Sequence, residues 1–139
     1  MSESTINLEI AQEWLVYAKD ALDYAEYFFG KRPLQKEIIC FFCQQSAEKI
    51  LKGLLALHGI CPPEIHDLMS LCDLCRPFVN EINKISKRCE KLNPYSVAPR
   101  YLKEIPIVEQ QIRLALVDAR EVLEFCLPFY PNDDEIKIP

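Results

Sequence analysis

Apolar residues recur every three or four positions over long stretches of this chain, the period of an α-helix and not of a strand. Leu8, Ala11, Trp14, Leu15, Ala18, Ala21, Leu22, Ala25, Phe28 and Phe29 share one face, with Glu9, Glu13, Asp20, Asp23 and Glu26 opposite. The pattern predicts a first helix over 8–29, capped by Thr5 or Asn7, ended by Gly30, with Trp14 and the two phenylalanines in the core. Pro33 suits the opening of a second helix over about 34–58, which Gly59 stops. A short helix is expected over 67–76, with Leu68, Leu71, Leu74 and Cys75 inward and Asp67 in its first turn. A polar helix over 79–92 carries the narrow stripe Val79, Ile82, Ile85, Cys89 and Leu92. Residues 93–106 read as an extended loop and 107–127 as the last long helix, with Val108, Ile112, Ala115, Leu116, Ala119, Val122, Leu123 and Cys126 inward. Nothing reads as a strand. Short connections between long helices imply antiparallel neighbours, so the expectation is an all-α domain over 1–130: five helices, as an up-and-down four-helix bundle with one short extra helix. Residues 131–139 form an acidic segment, expected to be a flexible tail.

The second helix breaks its own pattern. It is apolar nearly all round, as a central helix is, yet its middle carries Gln44, Gln45, Ser46, Glu48, Lys49 and Lys52. Polar groups are costly to bury unless paired. Helical spacing divides this girdle: Gln45, Lys49 and Lys52 share one face, and Gln44 and Glu48 the adjacent one. Glu48 and Lys52 form an i,i+4 pair in the favourable order. Gln45 and Lys49 have no evident partner within the helix, so they are where the 93–106 loop, His66 or a second subunit is expected to arrive.

Composition narrows the function classes. The 139 residues suit one domain, and the net charge of −5 argues against a general nucleic-acid coat protein. The acidic, polar start and the absence of a long apolar run predict neither leader nor membrane span, hence a cytoplasmic protein whose seven cysteines are reduced. The pairs Cys40/Cys43 and Cys72/Cys75 have the spacing of zinc ligands, but they fall inside helical apolar patterns where zinc sites use turns, so they read as core packing. No metal or cofactor is expected. Lys84, Lys87, Arg88 and Lys91 line one face of the fourth helix, either as a solvated face or as a phosphate-facing stripe. Tyr95, Arg100 and Tyr101 stand between prolines in the long loop. An arginine flanked by aromatics can clamp a phosphate and stack a base, or the tyrosines can simply anchor the loop.

Several pieces carry a family resemblance through their order and spacing. Trp14-Leu15 with Ala18, Phe42-Cys-Gln-Gln-Ser-Ala-Glu-Lys-Ile-Leu-Lys52, His66-Asp-Leu68, Tyr95 to Arg100-Tyr101, and the alanine-bearing last helix together resemble the HEPN domain over about 8–127. The resemblance implies a five-helix bundle, commonly a homodimer, paired in prokaryotes with a minimal nucleotidyltransferase in toxin–antitoxin-like modules. It also implies a polar site of Gln45, Lys49, Lys52, His66, Arg100 and Tyr101 for a nucleotide or RNA. Ribonuclease members carry an Arg, four to six residues, then a His. This chain has no such pair, because its two histidines are His58 and His66 and the one arginine upstream is Arg32. The reading is therefore a non-catalytic partner module, with a ribonuclease built on His66 and Arg100, or a purely structural assembly module, as alternatives.

Overall fold

The computed structural model describes residues 2–131, and every element among them is helical. Six α-helices run over Glu3–Lys31 (α1), Lys36–Leu57 (α2), Leu68–Cys75 (α3), Asn83–Leu92 (α4), Pro99–Leu102 (α5) and Glu109–Cys126 (α6), with 3-10 turns at Asn93–Ser96 and Leu127–Phe129. The expected count of five is thus corrected to six. The additional helix lies in the segment expected to be extended, where Pro94 and Pro99 each open a turn with their ring-fixed backbone and Leu102 is buried as the anchor. The expected acidic tail at 131–139 falls, except for Pro131, outside the described residues.

α2 is the central helix, packed on α1, α6, α3 and α4. Its partners show the chain directions. Along α1, Phe28 and Tyr24 lie beside Phe42, the Ala18 carbonyl accepts from Ser46 Oγ at 2.8 Å, and Trp14 lies beside Lys49 and Lys52, so the two helices are antiparallel. Glu26 pairs with Arg120, and the Arg113 guanidinium lies over the Phe29 ring, so α6 is antiparallel to α1. Arg88 and Asp118 join α4 to α6. α1, α2, α4 and α6 alternate as an up-and-down bundle, with α3 and α5 as short additions.

Element ends differ from the periodicity where capping, not burial, decides them. α1 begins at Glu3 because Ser2 Oγ accepts the Thr5 amide, five residues before Leu8, where the expected helix starts. Gly30 stays helical, and α1 runs on to Lys31. Gly59 does stop α2: with φ +77° it lets its own N–H reach the Ala56 carbonyl and that of Ile60 reach Leu55, at 3.0 and 2.9 Å. Leu74 and Val108, both expected inward, are exposed: α3 buries only Leu68, Leu71, Cys72 and Cys75, and Val108 is the residue preceding α6. Trp14, Phe28 and Phe29 pack on the core but remain partly open, because α1 turns its alanines and leucines, not its aromatics, most squarely to α2.

Small residues set the α1–α2 separation. Ala11, Ala18, Ala21 and Ala25 are all buried along the contact face of α1. Gly53 of α2 has no room for a side chain: a Cβ there would strike the Tyr130 hydroxyl and stand 2.9 Å from Trp14 Cβ. Tyr130 cannot readily yield, since its buried phenol donates to the Ile50 carbonyl at 2.6 Å. Gly53→Ala is therefore expected to destabilise the protein by about 1–3 kcal/mol by overpacking, despite the better helix propensity of alanine. Urea denaturation of the two proteins measures the difference.

Candidate functional site

The girdle of α2 closes around Glu48. This side chain is fully buried, as is that of Gln44 one turn earlier. Its carboxylate meets four partners. Oε2 accepts from Lys52 Nζ at 3.2 Å and from Lys49 Nζ at 3.5 Å. Oε1 accepts from Gln44 Nε2 at 3.3 Å and lies 3.0 Å from His66 Nδ1. Gln44 also donates to the His66 carbonyl at 3.0 Å, and its own Oε1 accepts from Gln45 Nε2 at 2.8 Å. A carboxylate can only accept, so His66 carries its proton on Nδ1 and Nε2 is the ring nitrogen that Glu48 leaves unengaged. Burial pushes the Glu48 carboxyl up, but the Lys52 charge, the hydrogen bonds from His66 and Lys52, and the Lys49 charge outweigh it and hold the group below the usual carboxylate range.

The Trp14 ring flanks the cluster, with Lys49 Nζ 5.4 Å and Lys52 Nζ 5.9 Å from its centroid. Burial is graded outward from the carboxylate: Lys52 is nearly enclosed, the Lys49 side chain is 27% exposed and that of His66 65%. Two lysines thus share one carboxylate and leave one positive charge in excess at the outer side. The chain holds His66 in place through the next residue. Asp67 caps α3, taking hydrogen bonds from Ser70 Oγ at 2.6 Å and Asn93 Nδ2 at 2.7 Å, while Asn93 Oδ1 accepts the Leu68 amide. Those side-chain bonds keep the Asp67 carboxyl low.

Of the six residues singled out in the sequence, Gln45, Lys49, Lys52 and His66 come together here. Arg100 and Tyr101 do not join the cluster; they lie exposed on α5, where the guanidinium stands 4.8 Å from the Tyr101 ring centroid and donates to its hydroxyl at 2.9 Å. His66 does arrive at the girdle, but at Glu48 and Gln44, not at Gln45 and Lys49. Glu48, whose spacing from Lys52 reads as a self-satisfied pair, is the hub, and Gln45 and Lys49 find their partners within α2 after all, at Gln44 and Glu48. The i,i+4 spacing of Glu48 and Lys52 was the available signal, but spacing cannot say that a carboxylate with one helical partner lacks solvent.

The cysteine pairs are core residues. Cys40, Cys43, Cys72 and Cys75 are fully buried, and burial pushes the thiols of Cys40 and Cys75 up to about 12. Among the described residues no group of three or more His, Cys, Asp or Glu side chains is placed to hold a metal ion, and no helix is long and apolar enough to cross a membrane.

Comparison with known proteins bears on what this bundle is. The model of the HEPN domain matches residues 11–130. Among solved structures, the TT1696 protein of Thermus thermophilus is similar at TM-score 0.71 and 26% identity, over 84% of this chain and 94% of that one. ST0689, described as an archaeal HEPN homologue, is similar at TM-score 0.68 over 87% of this chain and 98% of that one, and at 23% identity it speaks for the fold alone. A comparison with curated proteins gives no significant match.

Glu48→Gln removes the charge that holds Lys52, so a loss of about 3 kcal/mol is expected, the scale for stripping one member from a buried ion pair. The pH dependence has a definite sign. The native carboxyl is the more acidic one, so between its value and the ordinary one the unfolded chain binds more protons. The stabilisation is complete above the ordinary carboxylate range and lost as pH falls through the lowered native value. Denaturant midpoints measured across that range should fall with acid in the parent and fall less steeply in Glu48→Gln.

Proposed function

We propose that this chain, which belongs to the HEPN domain family, is a non-catalytic module that dimerises, binds a nucleotide and serves as the partner of a minimal nucleotidyltransferase in a toxin–antitoxin-like pair. The observation that carries the nucleotide reading is the arrangement of Lys49, Lys52 and His66 on one buried carboxylate beside Trp14. Lysine is a flexible point charge that costs entropy to hold still. Here Glu48 has already fixed both ammonium groups, so an arriving phosphate finds an ordered site with a surplus positive charge. Gln45 is at hand through Gln44 to orient the ligand, and the partly open Trp14 ring offers a face to a base. Arg100 and Tyr101, paired and exposed on α5, form a second polar surface suited to the ribose or base of a longer ligand, or to the protein partner.

A second reading rests on the Glu48–His66 contact. A carboxylate that fixes an imidazole through Nδ1 leaves Nε2 as a proton acceptor, the arrangement that general acid–base chemistry on RNA requires. The Arg-x4-6-His pair of the catalytic members is absent, which is why this reading stands second.

Calorimetric titration with ATP, GTP and AMP is the test. Binding is expected for at least one of them, weakened about tenfold, or ~1.4 kcal/mol, by Lys49→Met. The thermal midpoint of that variant should stay near the parent's, because Lys49 is the less buried lysine. No heat with any of the three nucleotides would overturn the nucleotide reading. Co-purification with the nucleotidyltransferase of a neighbouring reading frame, and its loss in Arg100→Ala, tests the partner reading. For the second reading, RNA incubated with the protein in EDTA should be cut by the parent and spared by His66→Ala; RNA left intact at high protein concentration would exclude it.

A further inference from the structure

α4, the 93–106 connection and α6 line a half-open surface pocket of about 300 Å³ that shares no residue with the Glu48 cluster. Its wall is mostly apolar: Pro94, Tyr95, Ile105, Ile107, Leu114 and Ala115. The volume sits at the lower bound for small-molecule sites, roughly 300–1,000 Å³. Ile105 and Leu114 are about half exposed beside it, so large apolar side chains face water at its rim.

Three polar groups converge on this apolar wall. Asp118 is 3% exposed, and its Oδ1 accepts from Arg88 Nη1 at 2.8 Å; among the described residues no hydrogen bond reaches its Oδ2. Lys91 is exposed and has no ion-pair partner among the described residues. Gln111 spends its Oε1 on the Val108 amide at 2.8 Å, and its Nε2 donates to nothing among the described residues.

We propose that this pocket is a binding site for a small planar molecule with an apolar body, one neutral N–H donor and a carboxylate. The ring replaces water against Tyr95, Ile107 and Leu114, and an aromatic body buries much area while losing few torsions. The N–H meets Asp118 Oδ2. A neutral donor fits better than a cation, because Arg88 already balances that carboxylate and Lys91 would stand near a further positive charge. The carboxylate meets Lys91 Nζ and the free Gln111 amide. The site is independent of the nucleotide reading, so either one stands if the other fails.

Indole-3-acetate is the probe, and 1-naphthaleneacetate is its counterpart without the N–H. Amide chemical shifts of the full chain should move within residues 91–118, where the wall residues lie. Indole-3-acetate should bind about fivefold more tightly than 1-naphthaleneacetate, the scale of one hydrogen bond. That preference should vanish in Asp118→Asn. Lys91→Met should weaken both probes alike, and Leu114→Arg, at a half-exposed position, should abolish both. If Asp118→Asn does not fold, the two-probe comparison in the parent and the Leu114→Arg variant decide the matter. Equal affinity of the two probes in the parent, shifts confined to residues 44–52, binding indifferent to Leu114→Arg, or no shift at millimolar probe would each overturn the proposal.

Discussion

The side chain of Glu48 has no contact with solvent, and it sits at the middle of the helix that every other long helix touches. An isolated carboxylate there would cost several kcal/mol or take up a proton. Instead, Lys52 and Lys49 come from the same helix, Gln44 from the turn before, and His66 from the segment that leads into α3. The last of these is long-range, so the charge is satisfied only when the chain after α2 has folded back. The cluster therefore ties tertiary structure to ionisation. It also leaves two cations ordered beside an open face, and a ligand reading begins from that order.

The bundle around this charge is built for close approach. α1 offers alanines, α2 offers Gly53, and Ser46 spends its hydroxyl on the Ala18 carbonyl across the gap. Trp14 takes part on both sides of the problem: its Cβ abuts Gly53 and its ring faces the two lysines. Tyr130, at the far end of the described chain, seals the same place by bonding to Ile50. Packing and the polar site are thus not separable in this region, and a change at Gly53 would be felt at the lysines through Trp14.

The segment after α4 links the two candidate sites in space. Asn93 holds Asp67 and the start of α3, which fixes the backbone next to His66. Its immediate successors, Pro94 and Tyr95, form part of the pocket wall, and Tyr95 lies beside the Cys40 thiol of α2. One short stretch of chain thereby braces an imidazole on one side and walls an apolar pocket on the other.

Much of this was written in the amino-acid order. The long helices, the buried stripe of α4, the antiparallel α1–α2 pair and the stop at Gly59 follow from periodicity and from one glycine's backbone freedom, which are local properties. Gln45, Lys49, Lys52 and His66 were recognisable as polar residues in a helix, or after one, that ought to be apolar. The additional helix α5 was not, because it rests on the burial of Leu102, a contact between distant parts of the chain. Nor was the hub. In sequence, Glu48 looked self-satisfied beside Lys52, and Arg100 and Tyr101 looked like companions of His66. Which carboxylate loses its water, and which arginine stays in it, depends on how the segments fold over one another, and spacing along a helix carries no information about that.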